Sequence, residues 1–107
     1  MAELTRGAIC GVRIGRSAGH EQSGRRYAII VQSDDLSLLS TVVVVPTSTS
    51  ARTATFRPEV VVEGQRTRVL CEQIRTVDSQ RLGGMIGILT ASEMRSVEDA
   101  LQIILEL

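Results

Sequence analysis

Short apolar segments separated by polar stretches run through most of the chain. Apolar side chains alternate from residue 8 to residue 14, which predicts a strand with one buried face. The four consecutive valines at residues 42–45 predict a strand that is covered on both faces. The sequence EGQR at residues 63–66, between two such segments, indicates a β-hairpin. The predicted strands are residues 7–14, 25–32, 41–46, 56–62, 67–73 and 83–89.

The spacing of the apolar residues changes near the C-terminus. Thr90 and Glu93 have the spacing of a capping box, in which each side chain bonds the backbone N–H of the other residue. Apolar side chains then recur three or four positions apart, as on one side of an α-helix. We expect this stripe to pack on the core, and it consists of Met94, Val97, Leu101, Ile104 and Leu105.

These elements predict an α+β protein that is mainly β. Short strands, polar loops and one terminal helix are typical of a small barrel or a curled sheet capped by that helix. The length of 107 residues favours one domain over residues 1–107. No apolar run is long enough to cross a bilayer, and the first six residues lack the apolar region of a secretory signal. We therefore predict a cytoplasmic protein with no membrane partner.

The amino-acid composition limits the kinds of functional site that this chain can form. Twelve cationic residues balance twelve acidic ones, and every cationic residue is an arginine. The basic stretch from Arg13 to Arg26 is a candidate anion-binding region, although exclusive use of arginine also fits a G+C-rich genome. Two cysteines 61 positions apart and one histidine do not form an ordinary zinc site, so we expect buried reduced thiols, no metal and no cofactor. Only two aromatic residues are present, which argues against an RNA-recognition sheet built on stacked rings.

Two polar loops carry the residues suited to catalysis. The first, residues 15–24, contains His20, Glu21 and Gln22 and is followed by Arg25 and Arg26. The second, residues 47–55, begins with the hydroxyl side chains of Thr47, Ser48, Thr49 and Ser50. Cations and hydroxyl groups that hold phosphate oxygens, beside a base for an attacking hydroxyl, would suit cleavage of a phosphodiester. Solvated turns with no chemistry are the alternative interpretation of the same residues.

Four ordered motifs in this sequence resemble those of the PemK/MazF (Kid-like) toxins. They are RG at residues 6–7, GHEQSGRR at 19–26, VVVPTS at 43–48, and EQIRTVD at 72–78 followed by RL at 81–82. The resemblance implies an SH3-like small barrel with a C-terminal helix, acting as a homodimer. It further implies the toxin of a type II toxin–antitoxin system, inhibited by a MazE-like antitoxin. Such a toxin cuts single-stranded RNA without metal, leaves 2′,3′-cyclic phosphate and 5′-hydroxyl ends, and thereby stops translation and growth.

The same resemblance assigns candidate roles to individual residues. Arg26 and Ser48 fall on the catalytic arginine and hydroxyl positions. Independently of the resemblance, His20 or Glu21 could accept the 2′-hydroxyl proton, and His20 has the better-matched ordinary pKa of about 6.5. Tyr27 replaces the usual proline, and Leu70 replaces an arginine of the Kid branch. Further candidates for catalysis or RNA binding are Gln22, Arg25, Thr47, Thr49, Glu72 and Gln73.

Two other function classes fit the same fold. One is a CcdB-like toxin that binds gyrase without nuclease activity, and the other is a catalytically inactive SH3-like binding module. CcdB-type chains lack the GHEQSGRR-type loop, and an inactive homologue need not keep both an arginine at 26 and a hydroxyl at 48. The sequence therefore favours the nuclease.

Overall fold

The computed structural model describes residues 4–13 and 26–107. Within these ranges the chain forms seven strands, one α-helix and three single-turn 3₁₀ helices. The strands are β1 Ala8–Val12, β2 Arg26–Ile30, β3 Thr41–Ser48, β4 Glu59–Val62, β5 Gln65–Val69, β6 Arg75–Asp78 and β7 Leu82–Ile88. The α-helix α1 is Ala91–Leu105, and the 3₁₀ turns are Asp34–Leu36, Cys71–Gln73 and Ser79–Arg81.

The strands form one curled antiparallel sheet in the order β4-β5-β3-β2-β1-β7. Strand β3 is the longest and bends the sheet, because it changes partner along its length. Its first half, from Thr41 to Val44, pairs with β6, while its end at Thr47 and Ser48 pairs with β5. The predicted class, a mainly-β small barrel with a C-terminal helix, is confirmed.

Alternating side chains of the strands divide the interior into two clusters. Ile9, Ile29 and Val45 lie on the face that α1 covers, where Val97 and Leu101 of the helix pack against them. The other face holds the apolar side chains of the predicted β1 stripe that the structure describes, together with those of β2, β3 and β6: Ala8, Cys10, Val12, Ala28, Ile30, Val42, Val44 and Val77. Because Ile9 is buried as well, β1 is covered on both faces and not on one as predicted. The valines of β3 thus serve both clusters, as their uninterrupted run predicted. Cys10 and Cys71 are buried free thiols, and burial raises the pKa of both, for Cys71 to about 12.

The capping box holds α1 to the sheet as well as starting the helix. Thr90 Oγ1 accepts from the Glu93 N–H at 3.0 Å, and Glu93 Oε1 accepts from the Thr90 N–H at 2.9 Å. The second carboxylate oxygen of Glu93 accepts from the N–H of Val61 on β4 at 2.9 Å. Four residues of the predicted stripe pack on the core as expected, whereas Leu105 remains 45% exposed.

Several local features differ from the sequence-based expectations. The predicted strand 67–73 is β5 Gln65–Val69 followed by the 3₁₀ turn Cys71–Gln73. Strand β3 continues through Pro46 to Ser48, so Thr47 and Ser48 belong to a strand and not to the polar loop. Strand β6 was not predicted, because Val77 is its one buried residue and the others are exposed and polar. The predicted hairpin is present, but its turn is only Glu63 and Gly64, with φ of 51° and 79°. Two positive φ angles are what a two-residue hairpin turn with the right twist requires.

Candidate active site

The pairing of β2 with β3 brings the two proposed catalytic residues together. Ala28 pairs with Pro46, and Ile29 pairs with Val45. Continuing that antiparallel register by two residues places Arg26, the first residue of β2, opposite Ser48, the last residue of β3. Side chains directly opposite in an antiparallel pair share one face of the sheet and lie within contact distance.

Arg26 and Ser48 line one pocket of about 230 Å³ at this end of the two strands. The hydroxyl groups of Thr49 and Ser50 continue the wall beyond Ser48, and the opposite wall comes from the β4–β5 hairpin. The full lining is Arg26, Tyr27, Thr47, Ser48, Thr49, Ser50, Val62, Glu63, Gln65 and Thr67. A cation surrounded by hydroxyl groups can hold a phosphate group in such a pocket.

The adjacent hydroxyl groups of Thr47 and Ser48 have different partners. Thr47 is 6% exposed and donates its Oγ1 hydrogen to the carbonyl of Tyr27 at 2.9 Å, so its hydroxyl ties β3 to β2. Ser48 points the other way along the pleat, and its Oγ accepts from the Ser50 N–H at 3.2 Å and lies 3.3 Å from the Ser50 Oγ. The hydroxyl available to a ligand is therefore that of Ser48.

Tyr27 and Glu63 form a bridge at the edge of the pocket. The Tyr27 hydroxyl donates to Glu63 Oε1 at 2.7 Å. Both side chains also line a second, more open space of about 640 Å³, whose walls include Arg13 and Arg81. The sequence reasoning missed Glu63 as a site residue. The sequence predicted the turn that contains Glu63. The contact of Glu63 with Tyr27 of β2, however, depends on how the strands pair and not on any motif.

The sequence and fold of this chain match proteins of known class. The family model of PemK-like, MazF-like toxins of type II toxin–antitoxin systems matches residues 5–105. A candidate toxin of Mycobacterium tuberculosis, Rv3098A, is 44% identical over 99 residues, which cover 91% of this chain and 92% of that protein. The endoribonuclease EndoA of Bacillus subtilis is 32% identical over 111 residues, covering 97% and 96% of the two chains. A solved mycobacterial endoribonuclease in complex with its cognate antitoxin superposes with a TM-score of 0.82 at 23% identity, covering 96% and 95%.

The chain belongs to the PemK-like, MazF-like toxin family. The enzyme class predicted from the motifs, endoribonuclease, is confirmed at the level of this family. The Arg-Gly motif at residues 6–7 has a structural role in this toxin. Arg6 pairs with Glu98 of α1 at 2.7 Å and donates through Nε to the carbonyl of Val31, while Gly7 takes a φ of 91°.

Two candidates from the EQIRTVD motif of this toxin lie away from the pocket lining. Glu72 sits in the 3₁₀ turn Cys71–Gln73, and its Oε2 accepts from Nε of Arg57 at 2.9 Å as well as from Nη2. Partial burial by itself would raise the pKa of Glu72. The hydrogen bond from Arg57, a backbone hydrogen bond and the charge of Arg57 together outweigh burial and hold the pKa below its usual range. Gln73 is exposed, and Leu70, where the Kid branch has an arginine, is a core residue at 5% exposure.

Arg57 connects Glu72 to the segment that follows Ser48. Its Nη1 donates to the carbonyl of Arg52 at 3.2 Å, and its guanidinium lies 5.6 Å from the ring centroid of Phe56. The hydrogen bond with Glu72 raises the pKa of Arg57 further. The Glu72–Arg57 pair thus holds the polar segment between β3 and β4 in place.

The remaining candidates, His20, Glu21, Gln22 and Arg25, lie outside the described residues. Within residues 4–13 and 26–107 there is no group of three His, Cys, Asp or Glu side chains that could hold a metal ion. In the same part of the chain, no helix is long and apolar enough to cross a membrane.

Proposed function

We propose that this toxin is a sequence-specific, metal-independent endoribonuclease that cleaves single-stranded RNA, including mRNA, and so stops translation and growth. The observation that carries the proposal is the meeting of Arg26 and Ser48 on one pocket at the ends of β2 and β3. The pocket can hold a phosphate between the Arg26 cation and hydroxyl donors. Those are the groups that stabilise the extra negative charge of a pentacoordinate phosphorus.

The proposed reaction is a transesterification within the RNA. The 2′-oxygen attacks the adjacent phosphorus, the bond from phosphorus to the 5′-oxygen breaks, and the products carry a 2′,3′-cyclic phosphate and a 5′-hydroxyl. The 2′-hydroxyl proton passes to a general base, and a proton is returned to the departing 5′-oxygen. No metal or cofactor is needed, because the charge is held by arginine and hydroxyl groups.

Arg26 and Ser48 have separate roles in this scheme. Arginine keeps its charge at every physiological pH, so Arg26 is a clamp for the phosphate oxygens and not the base. Ser48 uses one lone pair to accept from the Ser50 N–H. Its own hydrogen can therefore point to a phosphate oxygen. His20 is the proposed base, because its usual pKa of about 6.5 suits proton transfer near neutral pH, with Glu21 as the alternative.

The proposed partners follow from the same chemistry and from the family. A MazE-like antitoxin with an acidic tail would compete with RNA phosphates for the arginines, and the solved mycobacterial relative is in complex with its cognate antitoxin. A homodimer is supported by exposed apolar side chains on the edge strand β7, namely Met85, Ile86 and Ile88. We place the activity in the cytoplasm, where mRNA is available.

The proposal is tested by incubating the purified toxin with single-stranded RNA in excess EDTA. We expect cleavage to continue, with cyclic phosphate and 5′-hydroxyl ends identified by mass spectrometry. RNA with a 2′-O-methyl group at the cut site should resist, because the attacking hydroxyl is blocked. A requirement for added Mg²⁺, or products with a 5′-phosphate, would contradict the mechanism.

A further inference from the structure

Glu63 occupies a turn position that glutamate rarely takes. Its φ is 51°, and the following Gly64 has a φ of 79°. In a two-residue hairpin turn of this kind, asparagine, aspartate or glycine is preferred at the first position, because other side chains clash with the backbone there. Glutamate is not favoured at this turn position, but its longer side chain reaches the hydroxyl of Tyr27.

The carboxylate of Glu63 lies between two spaces that each contain cations. Arg26 and the hydroxyl groups line the smaller pocket on one side, and Arg13 and Arg81 line the larger space on the other side. Among the described residues, Glu63 and Tyr27 line both spaces. An RNA strand that places one phosphate in each space would therefore pass its intervening nucleotide over the Tyr27–Glu63 bridge.

The chemistry of a carboxylate decides which part of that nucleotide it can contact. A carboxylate repels phosphate and accepts hydrogen bonds without donating any. Cytosine, adenine and guanine carry an exocyclic amino group that donates on the base edge, and carboxylates are known acceptors of the cytosine amino group. Uracil offers one N–H between two carbonyl oxygens, and those oxygens face the carboxylate unfavourably. Unstacked bases of single-stranded RNA expose these edges to protein side chains.

We propose that Glu63, held by the Tyr27 hydroxyl, is a specificity-determining residue that accepts a hydrogen bond from an amino-bearing base of the substrate and disfavours uracil at that position. This inference rests on the proposed ribonuclease function. It assigns no step of the reaction to Glu63. It therefore predicts a change in where RNA is cut without a general loss of cutting.

The experiment compares cleavage of a randomised single-stranded RNA library by the wild type, Glu63→Gln and Tyr27→Phe. Glu106→Gln is the matched control, since Glu106 is also an exposed glutamate with a positive φ, of 56°, but it caps the far end of α1. At one position near the cut, Glu63→Gln should lower the preference for amino-bearing bases over uracil by at least about fivefold. Tyr27→Phe should give a smaller shift at the same position, and Glu106→Gln should give none.

A further variant separates recognition from a role in folding. Glu63→Asn restores the residue that the turn prefers, so it should raise the melting temperature and still lose the base preference. An unchanged preference in Glu63→Gln and Glu63→Asn would overturn the inference. So would a uniform loss of cleavage at all sites with a shifted pH profile, which would make Glu63 the general base.

Failure of the proposed function is distinguished by the wild type alone. If the wild type cuts no RNA in EDTA, the nuclease mechanism is wrong. The inference is then decided by selecting bound sequences from a 2′-O-methyl RNA library. Enrichment of amino-bearing bases by the wild type that is lost with Glu63→Gln supports it, and identical selections overturn it.

Discussion

Two short turns of this toxin each present a glutamate, and their surroundings are opposite. Glu72, in the 3₁₀ turn Cys71–Gln73, belongs to a family motif, yet it is bound by Arg57 and lies away from the pocket lining. Glu63, in the β4–β5 turn, belongs to no motif that we recognised, yet it lies on the pocket beside Arg26 and Ser48. A residue in a family motif can therefore serve packing as well as chemistry. Only the strand pairing shows which acidic residues lie on the pocket.

The largest effect that can test this comparison is expected at Arg26, on the pocket side. Arg26→Ala should lower the cleavage rate by about 10²–10³-fold, because a preorganised donor to the developing charge is lost. Arg26→Lys should recover little, since a point charge does not reproduce the planar fork. The measurement is single-turnover cleavage of a short RNA containing the preferred site.

The control for Arg26 is Arg66→Ala. Arg66 is on β5, outside the pocket lining, and its side chain is 86% exposed, so its removal should leave cleavage almost unchanged. The neighbouring Arg25→Ala should also lose much less than Arg26→Ala. Equal losses at 25 and 26 would show that the arginines bind RNA without stabilising the transition state.

Individual residues show which parts of the fold and of the candidate site could be predicted from the sequence. The GHEQSGRR and VVVPTS motifs predicted roles for Arg26 and Ser48, and the pairing of β2 with β3, continued by two residues, places the two opposite each other. The end of β3 was missed because TSTS has no apolar alternation, and the strand continues there only because β5 pairs with it. Tyr27 and Glu63 are 36 positions apart, and their contact depends on β4 and β5 folding back beside β3. No local pattern carries that information.

A smaller effect separates the two neighbouring hydroxyl groups of β3. Ser48→Ala should slow cleavage by roughly tenfold to a hundredfold, less than Arg26→Ala because one neutral donor is lost. Its melting temperature should stay near that of the wild type. Thr47→Val should lower stability and leave cleavage near that of the wild type, since it removes the hydrogen bond from Thr47 to the carbonyl of Tyr27 and costs about 1 kcal/mol of unfolding free energy.

Calorimetry and single-turnover cleavage of both variants check this separation. Equal losses of activity with equal stabilities would mean that either hydroxyl can serve the phosphate. In that case the pleat of β3 would not decide which of the two hydroxyl groups acts.

The smallest effect is expected at Glu72, where the comparison predicts a change in stability and not in cleavage. Against the opposing effect of partial burial, Arg57 and a backbone hydrogen bond hold the pKa of Glu72 below its usual range, so the ionised form of Glu72 stabilises the fold. That contribution is complete above the ordinary glutamate pKa of about 4.3 and is lost as the pH falls through the lower folded-state value. Glu72→Gln should therefore lower the free energy of unfolding by about 1 kcal/mol at pH 7, and the stabilities of the two proteins should converge in acid.

Urea unfolding across this pH range gives the difference directly. Glu72→Gln in an Arg57→Gln background should add little, because the partner is already gone. A variant that kept its stability but lost most of its cleavage would place Glu72 in the chemistry and reverse the contrast with Glu63.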